Sequence, residues 1–323
     1  WSIRRRRKNV RENRREEHRD ILVLSSGEPD FAPEHLDVKI RPEDRLYLAF
    51  PEELRAELPS SAGSFCTRDE LFCPITVPGR EPGEVWQAVE AARQEVARMF
   101  VSREDGLYFN GAKYGVAYSD GFSRTDDSAE DPILTLRLFQ TDHFTHRVLS
   151  RAAEQLQIDP GLLTVQNLNH ELKWLRTSLG LSVLVTLSGS DQILMTRRSL
   201  NSSFAEGREW IYVSATETFT ETDYDNYTHT ADLMLCLKRG IQEELGITPN
   251  MYFDSTIRFY NQFFETHFYQ DGIVATVELK ETAGFDEVCR LRAKDKDLEV
   301  GAIFPLDNNK KAIERFIQEH GEE

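Results

Sequence analysis

The sequence predicts an α+β protein, and three observations carry that prediction. Residues 133–139 and 181–187 alternate apolar and polar side chains with the two-residue period of a half-buried strand. Residues 84–101 and 231–246 instead space their apolar side chains at the 3.6-residue period of a helix. The chain, at 323 residues, is long enough for two domains, and no internal repeat or low-complexity linker divides it.

The elements follow in order. Residues 1–20 hold nine Arg or Lys against four Asp or Glu, a net of +5, whereas the whole chain carries −16. That asymmetry admits three readings. A nucleic-acid-binding arm is one, although the acidic body would repel a long polyanion. A charged surface helix is another, because Glu12/Arg15 and Glu16/Arg19 stand at i,i+3. The favoured one is the cytoplasmic flank of a membrane helix preceding this chain, since Trp1 followed by Arg4 to Lys8 fits an aromatic belt and the positive-inside rule. The opening at Trp1, with no Met, fits a piece of a longer protein. No internal run approaches the ~18 apolar residues of a membrane span, and there is no signal peptide. Cys66, Cys73, Cys236 and Cys289 lack metal-ligand spacing and read as reduced thiols.

Residues 21–180 are expected to form an α+β N-terminal domain. Residues 21–24 and 45–50 read as strands, followed by a Pro-rich stretch. Residues 84–101 make an amphipathic helix with Trp86, Val89, Ala92, Val96 and Phe100 on one side. A hairpin is expected over 106–119, a strand over 133–139, and helices over 143–157 and 162–179, the last started by Asp159-Pro160 and stopped at Gly180. Asp142, His143 and His146 at a helix start read as capping and surface residues rather than as a metal site.

Residues 181–323 are expected to form the second domain. Strands are read at 181–187, at 192–196 running into Arg197-Arg198, and at 210–214. A loop rich in Thr, Asp and Tyr follows over 216–230, then a helix over 231–246. Strands at 257–266, 267–280 and 300–305 and a helix at 310–320 complete the order. On the 231–246 helix, Leu233, Leu237, Ile241 and Leu245 form an apolar stripe, and Glu244 falls inside it. A carboxylate on the core side must be paired, hydrogen-bonded or bound to a cation. Arg239 is the nearest candidate partner.

That helix carries Arg239-Gly-Ile-Gln-Glu-Glu-Leu-Gly246-Ile247, which resembles the C-terminal half of the NUDIX signature, Arg-Glu-U-x-Glu-Glu-x-Gly-U with U aliphatic. Eight of the nine positions fit; the misfit is Gly240, where the family carries a metal-binding glutamate. The earlier signature positions fall on Asp225 and Ala231 and do not match. The resemblance implies a NUDIX-like α/β/α sandwich at the C-terminus, with Glu243 and Glu244 as the remaining metal ligands. Asp232, Glu265 and Glu278 are candidates for the vacant role. Two carboxylates could still hold one Mg2+ on a diphosphate, but activation of a water by several metals is disfavoured.

Together with the basic flank and the long leader, the chain is similar to the SMODS-associated NUDIX domains of bacterial cyclic-oligonucleotide antiphage signalling. That similarity implies a sensor without catalytic residues and without a required cofactor, Mg2+ being optional. Its partners would be a cyclic di- or trinucleotide, a second copy of itself on ligand binding, and the cytoplasmic face of the bacterial inner membrane through a preceding segment; no long nucleic acid is expected. Candidate phosphate partners are Arg197, Arg198, Arg208 and Arg258, whose guanidinium groups offer paired donors. Candidate stacking faces are Trp210, Tyr212, Tyr260, Phe263 and Phe264. The alternative is an active Mg-dependent pyrophosphohydrolase of a nucleoside diphosphate derivative. A third reading is a non-catalytic module that binds a protein.

Overall fold

The computed structural model describes residues 21–24, 31–102, 109–122, 133–199, 211–225, 230–296 and 300–320. The basic stretch 1–20, and the expectations built on it, lie outside them.

The fold is α+β, built on two sheets. In chain order the strands are β1 (Ile21–Val23), β2 (Leu36–Tyr47), β3 (Glu70–Leu71), β4 (Ala112–Phe122), β5 (Ile133–Asp142), β6 (Leu179–Leu187), β7 (Gln192–Arg198), β8 (Ile211–Tyr212), β9 (Ala215–Thr218), β10 (Tyr224–Asp225), β11 (Thr230–Ala231), β12 (Arg258–Glu265), β13 (Gln270–Leu279) and β14 (Val300–Asp307). The helices are α1 (Pro82–Ser102), α2 (His143–Leu156), α3 (Val165–Asn169), α4 (Leu233–Leu245), α5 (Phe285–Arg290) and α6 (Lys310–His320). One sheet runs β1-β12-β13-β6-β7-β14, with β8 on β7 and β9 on β6; the other runs β10-β11-β2-β5-β4, with β3 on β2. Strand pairing crosses the expected 180/181 division twice. β1 pairs with β12, and β11 pairs with β2 at Thr230 opposite Lys39.

Alternation along β5 explains how the layers stack. Leu134, Leu136 and Leu138 face a core shared with Leu181 and Val183 of the other sheet and with Leu237 and Ile241 of α4. Phe139 faces the opposite way, into a second core under α1 and α2. The sheet is therefore apolar along one face, and on the other only toward the C-terminal end of β5, where α1 and α2 cover it. The motif helix α4 sits in the first core, so its stripe is buried as its spacing predicts.

Several expectations differ from the fold: β2 begins at Leu36, the 216–230 loop carries β10, β11 and most of β9, and two longer stretches are built differently. The 162–179 stretch is broken into α3, a short 3-10 turn and the start of β6. Asn169 is the reason: its amide donates to Ser119 O at 2.9 Å and its Oδ1 accepts from Ser119 N and Arg176, a pairing that helical continuation would destroy. At 112–122 a single long strand replaces the expected hairpin, paired along its length with β5. Among the described residues no helix is long and apolar enough to cross a membrane.

Asp142 caps α2, accepting from Thr145 N at 2.8 Å. His146 is buried rather than at the surface, and its Nδ1 lies 2.9 Å from Thr177 Oγ1. Burial first, then the nearby Lys113, His143 and Arg147, hold its pKa well below the usual value. Below pH ~6.5 an unfolded chain protonates this histidine while the native state does not. Stability therefore falls with pH below that point, by about 1.4 kcal/mol per unit from this group. Urea titrations of wild type and His146→Gln between pH 7.5 and 5 check this: the variant is expected to lose that part of the slope, and parallel curves would refute it.

Candidate functional site

The motif helix is fixed at both ends. Asp232 caps its N-terminus, accepting from Met234 N at 2.8 Å and Leu235 N at 3.2 Å. Gly246 stops it at φ 77°, where a side chain would be strained and where a Cβ would also meet Arg292 O at 2.6 Å. Asp232 is thereby committed to capping and does not fill the place of a missing ligand.

Between this helix and the strands β6, β9, β12 and β13 lies a cleft of about 450 Å3. Its floor includes Gly180 and Gly272, and its walls carry Arg198, Phe263, Phe268, Glu217, Glu243, Glu244 and Glu265. Phe263 stands opposite Gly272 across the β12–β13 ladder, with its ring against the Cα; a Cβ at 272 would lie 2.2 Å from Cζ. Glycine there lets the ring lie flat beside the cleft.

The structure gathers some of the expected residues and leaves others apart. Glu243, Glu244, Arg198 and Phe263 line the cleft. Arg197, Arg258 and Tyr260 do not: Arg258 donates to the carbonyls of Ser255 and Ile257, at 2.9 and 2.7 Å. Phe264 is core, fully buried beside Tyr269. Arg208 and Trp210 lie outside the described residues, as does the side chain of Tyr212. Of the auxiliary carboxylates, Glu265 lines the cleft and Glu278 is exposed elsewhere.

The ion pairing differs from the expected one. Glu244 is buried as its place in the stripe requires, but its partner is not Arg239. Its Oε1 accepts from Thr216 N at 3.2 Å, and its Oε2 faces Arg198 Nη1 at 3.9 Å. Arg239 is a hub for other acids. It is paired with Asp223 at 2.7 Å, Glu217 at 3.0 Å and Glu243 at 3.6 Å. Burial opposes its charge, but Asp223 and Glu217, with Cys236, outweigh burial and raise its pKa. Burial pushes the Glu217 carboxyl up, Arg239 pulls it back, and Glu243 adds repulsion.

Glu217 is the residue that the sequence reading missed. Its Cβ lies 2.7 Å from where a Cβ on Gly240 would stand, and its Oε2 3.7 Å away. A carboxylate from β9 thus occupies the space of the side chain that the helix lacks. The only signal was the glycine itself, since a Gly inside a helix implies a close approach by something else. Nothing in the motif says which residue approaches.

Fit to a divalent ion is a question of donors. Three carboxylates converge here, and Mg2+ generally uses one or two together with phosphate oxygens. Glu217 and Glu243 are, however, bonded to Arg239, and Glu244 to a backbone N–H. Among the described residues no group of three His, Cys, Asp or Glu is arranged to hold a metal ion. An ion here would have to displace Arg239 from Glu217 and Glu243.

No family model and no curated protein matches this sequence. Among solved structures, the crystal structure of DR0079 from Deinococcus radiodurans is similar at 12% identity, over 44% of this chain and 74% of that one, with a TM-score of 0.30. A likeness of that size carries no argument about this chain.

Proposed function

We propose that this chain is a ligand-sensing domain that binds a cyclic di- or trinucleotide in the α4 cleft without needing to hydrolyse it. In this reading it is the sensing part of a membrane-tethered bacterial antiphage effector that self-associates when occupied. The observation that carries the sensing part is the pairing of a half-buried aromatic ring, Phe263, with one guanidinium, Arg198, in a cleft whose motif carboxylates are already bonded within the protein. A ring face stacks a base at about 1–3 kcal/mol per base, and a guanidinium grips a phosphodiester in paired geometry. The cleft's carboxylates suit amino groups on a base edge.

Thermal-shift measurements with a panel of cyclic di- and trinucleotides, with and without Mg2+, test this. One cyclic nucleotide is expected to stabilise the protein without metal, by about 2.7 kcal/mol at a hundred times its Kd. Phe263→Ala and Arg198→Ala are expected to remove the shift. No shift with any member of the panel at millimolar concentration would sink the reading.

A second reading is favoured by one observation, the seating of Glu217 where the family's glutamate would be. On that reading the chain hydrolyses a linear nucleoside diphosphate derivative, with Glu217, Glu243 and Glu244 around Mg2+. It requires turnover that depends on Mg2+ and is lost in Glu244→Gln and Glu217→Gln. Metal-independent binding of a cyclic nucleotide, with no turnover of linear diphosphates, excludes it.

A further inference from the structure

Phosphate recognition is the weak point of the α4 cleft. Among the described residues its walls carry five carboxylates, Glu217, Glu243, Glu244, Glu265 and Asp295, and one guanidinium, that of Arg198. A polyanion entering alone would meet a field of its own sign.

A second hollow, of about 510 Å3, lies on the outer side of the same helix and shares Glu243 with the cleft. Its charge is reversed. Among the described residues Lys238, Arg239, Arg292 and Lys294 line it, with Glu243 as the one carboxylate and Gln242 and Thr248 as neutral polar neighbours. Such a gathering of cations stands out in a chain of net charge −16. Lys238 is held by Asp254 at 2.6 Å, and Lys294 by Glu243 at 3.3 Å and Asp295 at 3.8 Å. Among the described residues Arg292 has no hydrogen-bond or ion-pair partner for its guanidinium, and it is exposed.

The loop that carries Arg292 and Lys294 is held from three directions. Asp295 N donates to Glu243 O at 3.0 Å. Lys296 Nζ donates to the carbonyls of Val288, Cys289 and Leu291, at 3.2, 3.2 and 2.9 Å, closing the end of α5. Arg292 O packs on Gly246, where no side chain could fit. A preformed loop loses little entropy when it binds. The ordinary role of such cations is to offset the carbonyl end of the helix. Lys238 lies mid-helix and is held by Asp254, so that role falls to Arg292 beside Gly246, and it requires only charge, not a loop braced from three directions.

We propose that the hollow between Lys238, Arg292 and Lys294 is an anion subsite for a phosphate or pyrophosphate group of a nucleotide. The Lys294–Glu243 ion pair is the partition between this subsite and the cleft. A nucleotide could lay its phosphate on the cationic side and turn its base past Glu243 toward Phe263. This last step rests on the proposed function; the anion subsite itself does not.

The test titrates inorganic pyrophosphate into the full 323-residue chain by calorimetry, at low salt and without divalent ions, so that the carboxylate cleft is not engaged. Saturable binding that weakens with salt is expected, as for other charge-driven contacts. Arg292→Glu/Lys294→Glu is expected to weaken it at least tenfold. Arg292→Gln, which leaves every ion pair described above intact, is expected to weaken it measurably, and Phe263→Ala to leave it unchanged. Absence of binding to wild type, or equal binding by the Arg292→Glu/Lys294→Glu variant, overturns the subsite. Pyrophosphate binding without any cyclic-nucleotide shift would sink the sensing reading and leave the subsite standing. Cyclic-nucleotide binding without pyrophosphate binding would do the reverse.

Discussion

Replacing Asp271 by Ala is expected to lower the free energy of unfolding by about 3–5 kcal/mol, the range for breaking a buried ion pair from one side. Asp271 and Arg176 are both fully buried. Arg176 Nη2 donates to Asp271 Oδ1 at 2.6 Å, and its Nε to Oδ2 at 3.0 Å. The remaining donors reach Asn169 Oδ1 at 2.6 Å and Ser119 Oγ at 2.9 Å, while Gln262 donates to Asp271 at 3.0 Å. One guanidinium therefore ties β13 of one sheet to β4 of the other and to the short helix α3. Without the carboxylate, a charge that cannot leave its site loses its counter-ion and Gln262 loses its acceptor. Urea denaturation of Asp271→Ala against wild type measures the loss. The paired replacement Arg176→Met/Asp271→Leu should lose much less, because it removes both charges at once. A midpoint for Asp271→Ala within error of wild type would mean that water reaches the pair.

That junction also marks how far the sequence could be read. Periodicity located β5, β6, β7, β13, α1, α2 and α4, because each buries a face and so repeats a pattern of apolar residues. The 162–179 stretch was illegible for the opposite reason. Its structure is set by Asn169 and Arg176 bonding to partners far along the chain, and such bonds leave no periodic trace. β2 extends to Leu36 through polar residues at its exposed positions, which hid its first half. The site divides in the same way. Glu244 was legible because a carboxylate in an apolar stripe demands a partner. Which partner was not, since Thr216 and Arg198 come from strands whose register the sequence does not state. The dispersal of Arg258 and Tyr260 away from the cleft follows from the same ignorance of register.

Gly240→Glu would complete the signature that this helix resembles, and it is expected to destabilise this protein by about 2 kcal/mol. Two effects oppose each other. Glutamate in a helix interior is favoured over glycine by somewhat under 1 kcal/mol. Against that, its Cβ would stand 2.7 Å from Glu217 Cβ, and that is the root of a side chain, not a flexible tip that can swing away. Overpacking of this kind costs about 1–3 kcal/mol, and the new carboxylate would join Glu217, Glu243 and Glu244 in one cleft. The obstacle includes the Cβ itself, so only glycine at 217 removes it and reverses the sign. Glu217→Gly alone leaves Arg239 with Asp223 and Glu243 and costs the strand about 0.5–1 kcal/mol. In the double variant Glu217→Gly/Gly240→Glu the helix gains its propensity, and the new glutamate can turn toward Arg239 in the space that Glu217 has left. A double-mutant cycle by urea denaturation should therefore show a coupling of roughly 2 kcal/mol in favour of the double variant. Additive losses would mean that α4 shifts to admit the new side chain, and that Glu217 is a neighbour of position 240 without being its substitute. A strong coupling would mean that strand β9 and helix α4 hold a single carboxylate place between them, filled here from the strand.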